Sequence, residues 1–171
     1  MYYQEKKTVA SIISSLLVLV LYIIYGVSKY LEMGENLLND LKFWATAMLV
    51  AIGGGIIVII IIHIVFHIIL AIANEVSKEV SKKVNGEKME HEYEEFEIAE
   101  QEDEMDKLIA LKAMRNSFIV VGIGFAISLI SLYLEKQPAI MLNIIFLSFS
   151  LGSIFEGFSQ LYYYRRGVSN G

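Results

Sequence analysis

Four long stretches of the chain are apolar and almost free of charge. They cover 8–28, 43–74, 116–134 and 137–164, and the last one is interrupted by Glu156. A membrane-spanning helix needs about 20 apolar residues. The second stretch has 32 residues, which is enough for one crossing but not for two crossings and a turn. The pattern therefore predicts four transmembrane helices, over about 8–28, 43–70, 116–134 and 138–160.

Lysine and arginine are distributed unequally between the two sides that four spans create. With the N-terminus inside, eleven of these residues lie on the inner side, and three (Lys29, Lys42 and Lys136) lie on the outer side. The positive-inside rule then places both termini in the cytoplasm. The predicted fold class is an all-α integral membrane protein with two helical hairpins, N-in and C-in. A charged, helical cytoplasmic segment separates the hairpins.

The spans divide the chain into five parts. We expect a cytoplasmic N-terminus, a first hairpin, a cytoplasmic segment, a second hairpin and a cytoplasmic tail, at 1–7, 8–74, 75–115, 116–164 and 165–171. The middle segment is too short and too poor in apolar residues to fold alone. Between Glu87 and Asp106 it holds eleven acidic residues and one lysine, Lys88.

Composition narrows the function classes. Hydrophobic residues make up 56% of the chain and charged residues 19%, mean hydropathy is +0.55, and there is no cysteine. These values exclude a soluble enzyme, a disordered chain and a disulfide-built secreted module. The formal charge of −5 disfavours nucleic acid as a partner. No catalytic motif is present, so we expect a protein that is not an enzyme and whose main partner is the lipid bilayer.

Three ionisable residues fall within the predicted second and fourth spans. His63 and His67 are four positions apart and share a helix face, a spacing able to hold a metal ion, with Glu156 as a third ligand. A divalent metal is the one cofactor this pattern suggests. The alternatives are a proton site, a His–Glu hydrogen bond that joins two helices, or plain exposure of these side chains to solvent. Counted from Trp44, His63 lies roughly 28 Å along the helix, near the inner boundary of a bilayer core about 30 Å thick.

Small residues recur at every fourth position in the second and fourth spans. They let helix backbones approach closely, which drives association of helices in lipid. We therefore predict that they serve helix packing; the residues are Ala47, Ala51, Gly55, Ser148 and Gly152.

The acidic run suggests a contact for a cytoplasmic protein. It does not follow the EF-hand pattern of calcium ligands. A solvated face of this charge is repelled by anionic lipid and is available to a basic partner. The residues predicted for this contact are Glu94, Glu95, Glu102, Asp103, Glu104 and Asp106. The leading expectation is a membrane-embedded interaction or regulatory protein. The alternative is a homo-oligomeric transporter or channel for protons, metal ions or a small solute.

Two short motifs resemble a group of small bacterial multi-pass membrane proteins of unknown function, found mainly in spore-forming Gram-positive bacteria. The first is Glu102-Asp103-Glu104-Met105-Asp106-Lys107-Leu108-Ile109, similar to an acidic DERD-x-LI box before the third helix. The second is the tail Tyr162-Tyr163-Tyr164-Arg165-Arg166-Gly167. This chain has Glu104-Met105 where the group has Glu-Arg. The resemblance implies a bacterial plasma-membrane location and pairing with a small DNA-binding regulator, and it brings no activity or catalytic residue.

Overall fold

The computed structural model describes residues 3–84 and 103–167, and within these ranges the chain is helical, with no strand. Four long helices are present, with a 3₁₀ helix at Gly34–Asn39 between the first two. We number the helices α1 (Tyr3–Met33), α2 (Leu41–Val84), α3 (Glu104–Tyr133) and α4 (Pro138–Arg166). All four are long and apolar enough to cross a membrane. This confirms the prediction of an all-helical protein with four helices of membrane-spanning character.

The helices extend beyond the charge-free stretches that predicted them. Helix α2 has 44 residues, about 66 Å at 1.5 Å per residue, which is roughly twice the thickness of a bilayer core. Charged residues in water do not end a helix, so charge-free stretches indicate the membrane-embedded length and not the helix bounds.

Local hydrogen bonds explain where several helices begin and end. Asp103 and Asp106 form a capping box at the start of α3: Asp106 N donates to Asp103 Oδ1 (2.7 Å), and Asp103 N donates to Asp106 Oδ2 (3.2 Å). Helix α4 starts at Pro138, which suits a first helical turn because it has no backbone N–H. It ends at Arg166, and the next residue is Gly167, whose φ of 76° favours glycine.

The 3₁₀ helix closes one end of the bundle. Leu37 is fully buried there, in a cluster that includes Tyr22, Trp44 and Ala139. The indole Nε1 of Trp44 donates a hydrogen bond to the Leu37 carbonyl (2.9 Å). Leu37 packs inward because Trp44 and α4 cover it.

Small polar side chains fill much of the interior, and large apolar ones face outward. Ser14 and Ser128 have no exposed surface. Each hydroxyl donates to a carbonyl of its own helix, so neither is left unpaired. Many leucines, isoleucines and phenylalanines are more than 40% exposed. Such a surface would be unstable in water and is suited to lipid.

Helices α3 and α4 have the most extensive contact in the bundle. A Cβ added to Gly124 would overlap the Ser148 hydroxyl, and one added to Gly152 would lie 2.8 Å from Val121 Cγ2. These positions therefore need glycine for the backbones to approach. Ser148 and Gly152, predicted for packing, both lie at this contact.

Helix α1 packs between α2 and α4. On α2, an added Cβ at Gly55 would lie 3.2 Å from Val18 Cγ1 of α1. Ala47 is buried in the Leu37 cluster, and Ala51 packs against that cluster. The other three residues predicted for packing thus also lie at contacts between elements.

Candidate functional site

A cavity of about 180 Å³ lies at the end of the bundle where α1 and α3 begin and α4 ends. We call it the polar cavity. Helix α1 contributes Gln4, Lys7 and Thr8 to its lining; His63 comes from α2, Asp106 from α3 and Gln160 from α4. All four helices thus bring polar or charged side chains to one place, although the three residues named from α2, α3 and α4 are far apart in sequence.

Hydrogen bonds join α1 to α4 beside this cavity. The Thr8 hydroxyl lies 2.9 Å from the Gln4 carbonyl and 3.2 Å from Gln160 Oε1, and it can donate to either. The amide nitrogen of Gln160 in turn donates to Glu156 Oε1 (3.4 Å). Glu156 therefore contacts the cavity indirectly, through Gln160. When the Thr8 hydroxyl donates to Gln160, both ends of the Gln160 amide are engaged, and the amide is held in one orientation.

Gln4 carries an unpaired hydrogen-bond donor. Its side chain is only 7% exposed, and its Nε2 has no hydrogen-bond partner in the described ranges 3–84 and 103–167. A buried amide N–H without an acceptor costs about 1–3 kcal/mol. A hydrogen-bond acceptor on a molecule bound in the polar cavity would satisfy this N–H of Gln4.

His63 presents a defined ring nitrogen. Its Nδ1 lies 2.8 Å from the Ile59 carbonyl oxygen, which can only accept, so Nδ1 carries the hydrogen of this bond. The His63 ring is thus held against its own helix at the lining of the polar cavity.

His67 lies one turn further along α2 and contacts a different residue. Its Nδ1 is 3.5 Å from the Tyr3 hydroxyl, and the two rings lie 6.2 Å apart between centroids. Within the part of the chain that the structure describes, no three His, Asp or Glu side chains are grouped so that they could hold a metal ion. The metal site at His63, His67 and Glu156 therefore stays a prediction, and these residues have the separate contacts given above.

The predicted acidic contact is described only at its C-terminal end. Glu94, Glu95 and Glu102 lie outside the described residues. Asp103 and Glu104 are exposed, whereas Asp106 is half-buried and lines the polar cavity. Because Asp106 also closes the capping box of α3, the acidic run ends at a residue fixed on the bundle.

Two further polar contacts between helices were not anticipated from the sequence. Asn116 Nδ2 of α3 donates to the Tyr163 hydroxyl of α4 (3.0 Å). At the opposite end of the bundle, the Tyr22 hydroxyl donates to Asn143 Oδ1 (2.7 Å). Isolated asparagines inside apolar stretches are a usable signal for such contacts, since an unpaired amide in lipid is costly.

The region between these polar ends is mainly apolar. A cleft of about 520 Å³ lies among α1, α2 and α4, and its polar lining consists of three serines, Ser15, Ser150 and Ser153. Ser15 and Ser153 lie 3.3 Å apart across the α1–α4 contact. Among the described residues, no charged side chain lines this cleft, which lies between the Tyr22–Asn143 pair and the polar cavity.

Comparison of the chain with protein-family models, with curated protein sequences and with solved structures gives no match.

Proposed function

We propose that this is a non-enzymatic membrane protein of interaction or regulation, which uses its acidic segment as a cytoplasmic contact. Four helices of membrane-spanning character support the membrane setting. Eleven of the fourteen lysine and arginine residues lie near the two termini or in the segment 75–115, and three lie in the predicted outer loops. This distribution supports a cytoplasmic position for the end of the bundle that holds the polar cavity, with both termini inside. The resemblance of the acidic box and tail to small bacterial membrane proteins supports the plasma membrane as the location.

The observation that carries the proposal is the position of Asp106. This residue ends the acidic run, caps α3 and lines the polar cavity that all four helices share. A partner that binds the acidic run would therefore bind next to Asp106, which is held on the bundle by its capping bonds. Eleven acidic residues between Glu87 and Asp106 favour a basic surface on that partner.

Site-specific cross-linking tests this proposal. A photoreactive residue placed at Phe96 is expected to capture a defined cytoplasmic protein in intact membranes, and neutralising three nearby glutamates is expected to abolish that capture. The neutralised residues are Glu94, Glu95 and Glu102, each changed to Gln.

A matched control removes three glutamates from the predicted outer loops, Glu32, Glu35 and Glu135, each changed to Gln. This control carries the same change of net charge and is expected to retain full capture. Equal capture by both triple variants would contradict the proposal.

The transporter alternative is tested separately in proteoliposomes. The apolar lining of the cleft among α1, α2 and α4 favours a binding role over a pathway through one bundle. We expect no proton or ion flux above that of protein-free vesicles. A flux that is lost in Glu156→Gln would favour the transporter.

A further inference from the structure

We propose that the C-terminal end of α4 binds the headgroup of an anionic phospholipid. The site consists of Tyr162, Arg165 and Arg166, which we call the arginine–tyrosine patch. It relies on the membrane-spanning character of the helices. It goes beyond the interaction role proposed above and does not depend on it.

The patch lies at the end of a face of α4 that points away from the bundle. Four large side chains recur there at spacings of four, three and four positions, which places them on one side of the helix. They are Leu151, Phe155, Phe158 and Tyr162, and each is between 47% and 56% exposed. Lipid chains are expected to lie against such a face, and tyrosine is typical of the membrane–water interface. The two arginines then follow at the depth of the headgroups.

Ring contacts hold the Arg166 guanidinium at this face. Its Cζ lies 5.4 Å from the centroid of the Tyr162 ring, within the range of a cation–π contact. Tyr162 in turn meets Tyr163 edge-on, at 5.7 Å between centroids, and the Tyr163 hydroxyl accepts a hydrogen bond from Asn116 of α3. The guanidinium is thus positioned before a ligand binds, so less side-chain entropy is lost on binding.

The patch carries two positive charges that no described carboxylate neutralises. Arg165 and Arg166 are exposed, and within 3–84 and 103–167 neither forms an ion pair. Arginine presents a planar fork of N–H donors that fits two oxygens of one phosphate. Two adjacent arginines therefore favour a lipid with a net negative charge, such as phosphatidylglycerol, over phosphatidylcholine, in which a choline group balances the phosphate.

The acidic start of α3 lies farther from the membrane than the patch. Asn116 of α3 is level with Tyr163 of α4, since their side chains are hydrogen-bonded. From this level Arg166 is three positions further along α4, about 5 Å, whereas Asp106 is ten positions back along α3, about 15 Å. The difference is about one Debye length at 0.1 M salt. The carboxylates at the start of α3 therefore repel a phosphate at the patch only weakly.

Native mass spectrometry of the purified full-length protein in detergent tests the proposal. The probes are phosphatidylglycerol, phosphatidylcholine with the same acyl chains, and glycerol 3-phosphate as a soluble phosphate. Phosphatidylglycerol is expected to bind saturably, and at least about tenfold more tightly than phosphatidylcholine. Glycerol 3-phosphate is expected not to displace it at equal concentration, because it has no acyl chain to lie against Phe155 and Phe158.

Charge-matched variants locate the binding. Arg165→Gln combined with Arg166→Gln is expected to weaken binding of phosphatidylglycerol at least about tenfold. The control combines Lys42→Gln with Lys136→Gln, two exposed positions near the opposite end of the bundle, and is expected to bind as the wild type does. Tyr162→Leu is expected to weaken binding several-fold, whereas Tyr162→Phe keeps an aromatic ring and is expected to retain it. Because all these side chains are exposed, the unfolding temperature without lipid is expected to stay unchanged.

Four results would overturn the proposal. The first is equal binding of phosphatidylcholine and phosphatidylglycerol. The second is displacement by glycerol 3-phosphate, which would indicate a site for a free phosphate. The third is unchanged binding in the double arginine variant, or an equal loss in both double variants. The fourth is wild-type binding in Tyr162→Leu. None of these results bears on capture of a partner by the acidic segment, so the two proposals can fail independently.

Discussion

The hydroxyl of Tyr22 donates a 2.7 Å hydrogen bond to the side-chain oxygen of Asn143, which joins α1 to α4 across 121 positions of sequence. The Asn143 amide nitrogen is also engaged, since it donates to the Ala139 carbonyl at 2.8 Å. Tyr22 is buried in the Leu37 cluster, and its ring packs on Phe146 at 4.3 Å between centroids. One side chain thus contributes both a polar and an aromatic contact between the same two helices.

Tyr22→Phe is expected to destabilise the folded protein by about 1 kcal/mol, because hydrogen bonds between membrane helices average about 0.6 kcal/mol and reach about 1.7. The ring contact with Phe146 remains, so the loss reports the hydroxyl alone. The free energy of unfolding in mixed micelles measures the effect. Tyr25→Phe is the control, because Tyr25 is exposed and contacts Phe43 through its ring. A change of equal size in both variants would contradict the assignment.

Gly124→Ala is expected to separate α3 from α4. The added Cβ would overlap the Ser148 hydroxyl, and Ser148 is itself buried. Forcing extra volume into a packed contact typically costs about 1–3 kcal/mol. Gly122→Ala is the matched control, since nothing described lies within 4 Å of its added Cβ. The control is expected to be neutral or slightly stabilising, since alanine favours the helix over glycine. Similar unfolding free energies for the two variants would show that the helices are not in close contact at Gly124.

Asp103→Ala is expected to loosen the first turn of α3. Loss of an N-cap side chain costs about 0.5–2 kcal/mol of helix stability, and here it also removes one half of a capping box with Asp106. Hydrogen exchange of the amides from Asp106 to Leu108 is expected to accelerate several-fold. Glu104→Ala, at an exposed position that makes no capping bond, is expected to leave exchange almost unchanged. Equal exchange in Asp103→Ala and the wild type would contradict the cap.

The four helices of membrane-spanning character could be predicted from the sequence because charges are costly in lipid. Only stretches of sufficient length without charge can cross, and those stretches are visible in the residue pattern. The ends of the helices could not be predicted in the same way. Helix α2 continues for ten residues past Asn74 to Val84, since lysine and glutamate are good helix formers once the chain is in water.

The polar cavity could not be predicted because it depends on which helices are neighbours. Gln4, Thr8 and Ser11 follow each other at spacings of four and three on α1, and this polar row indicates a contact face. The residue that Thr8 contacts, Gln160, lies 152 positions further along the chain. No pattern within a single helix specifies that α1 packs against α4.

The two histidines show the same limit. Their spacing correctly places them one turn apart on α2, but it does not determine what each side chain contacts. His63 turns its Nδ1 to a carbonyl of its own helix, and His67 lies beside Tyr3. A spacing that suits a metal ion is thus also compatible with two unrelated contacts.

Labelling of single cysteines tests the central claim, that a four-span protein places its polar cavity, acidic segment and termini in the cytoplasm. The chain has no cysteine of its own, so each introduced thiol is the only one. In intact cells, a membrane-impermeant thiol reagent is expected to label Glu35→Cys and Glu135→Cys. Glu94→Cys and Ser169→Cys are expected to react only after the membrane is permeabilised. Labelling of either of the latter two positions in intact cells, or protection of either of the former two, would contradict the account.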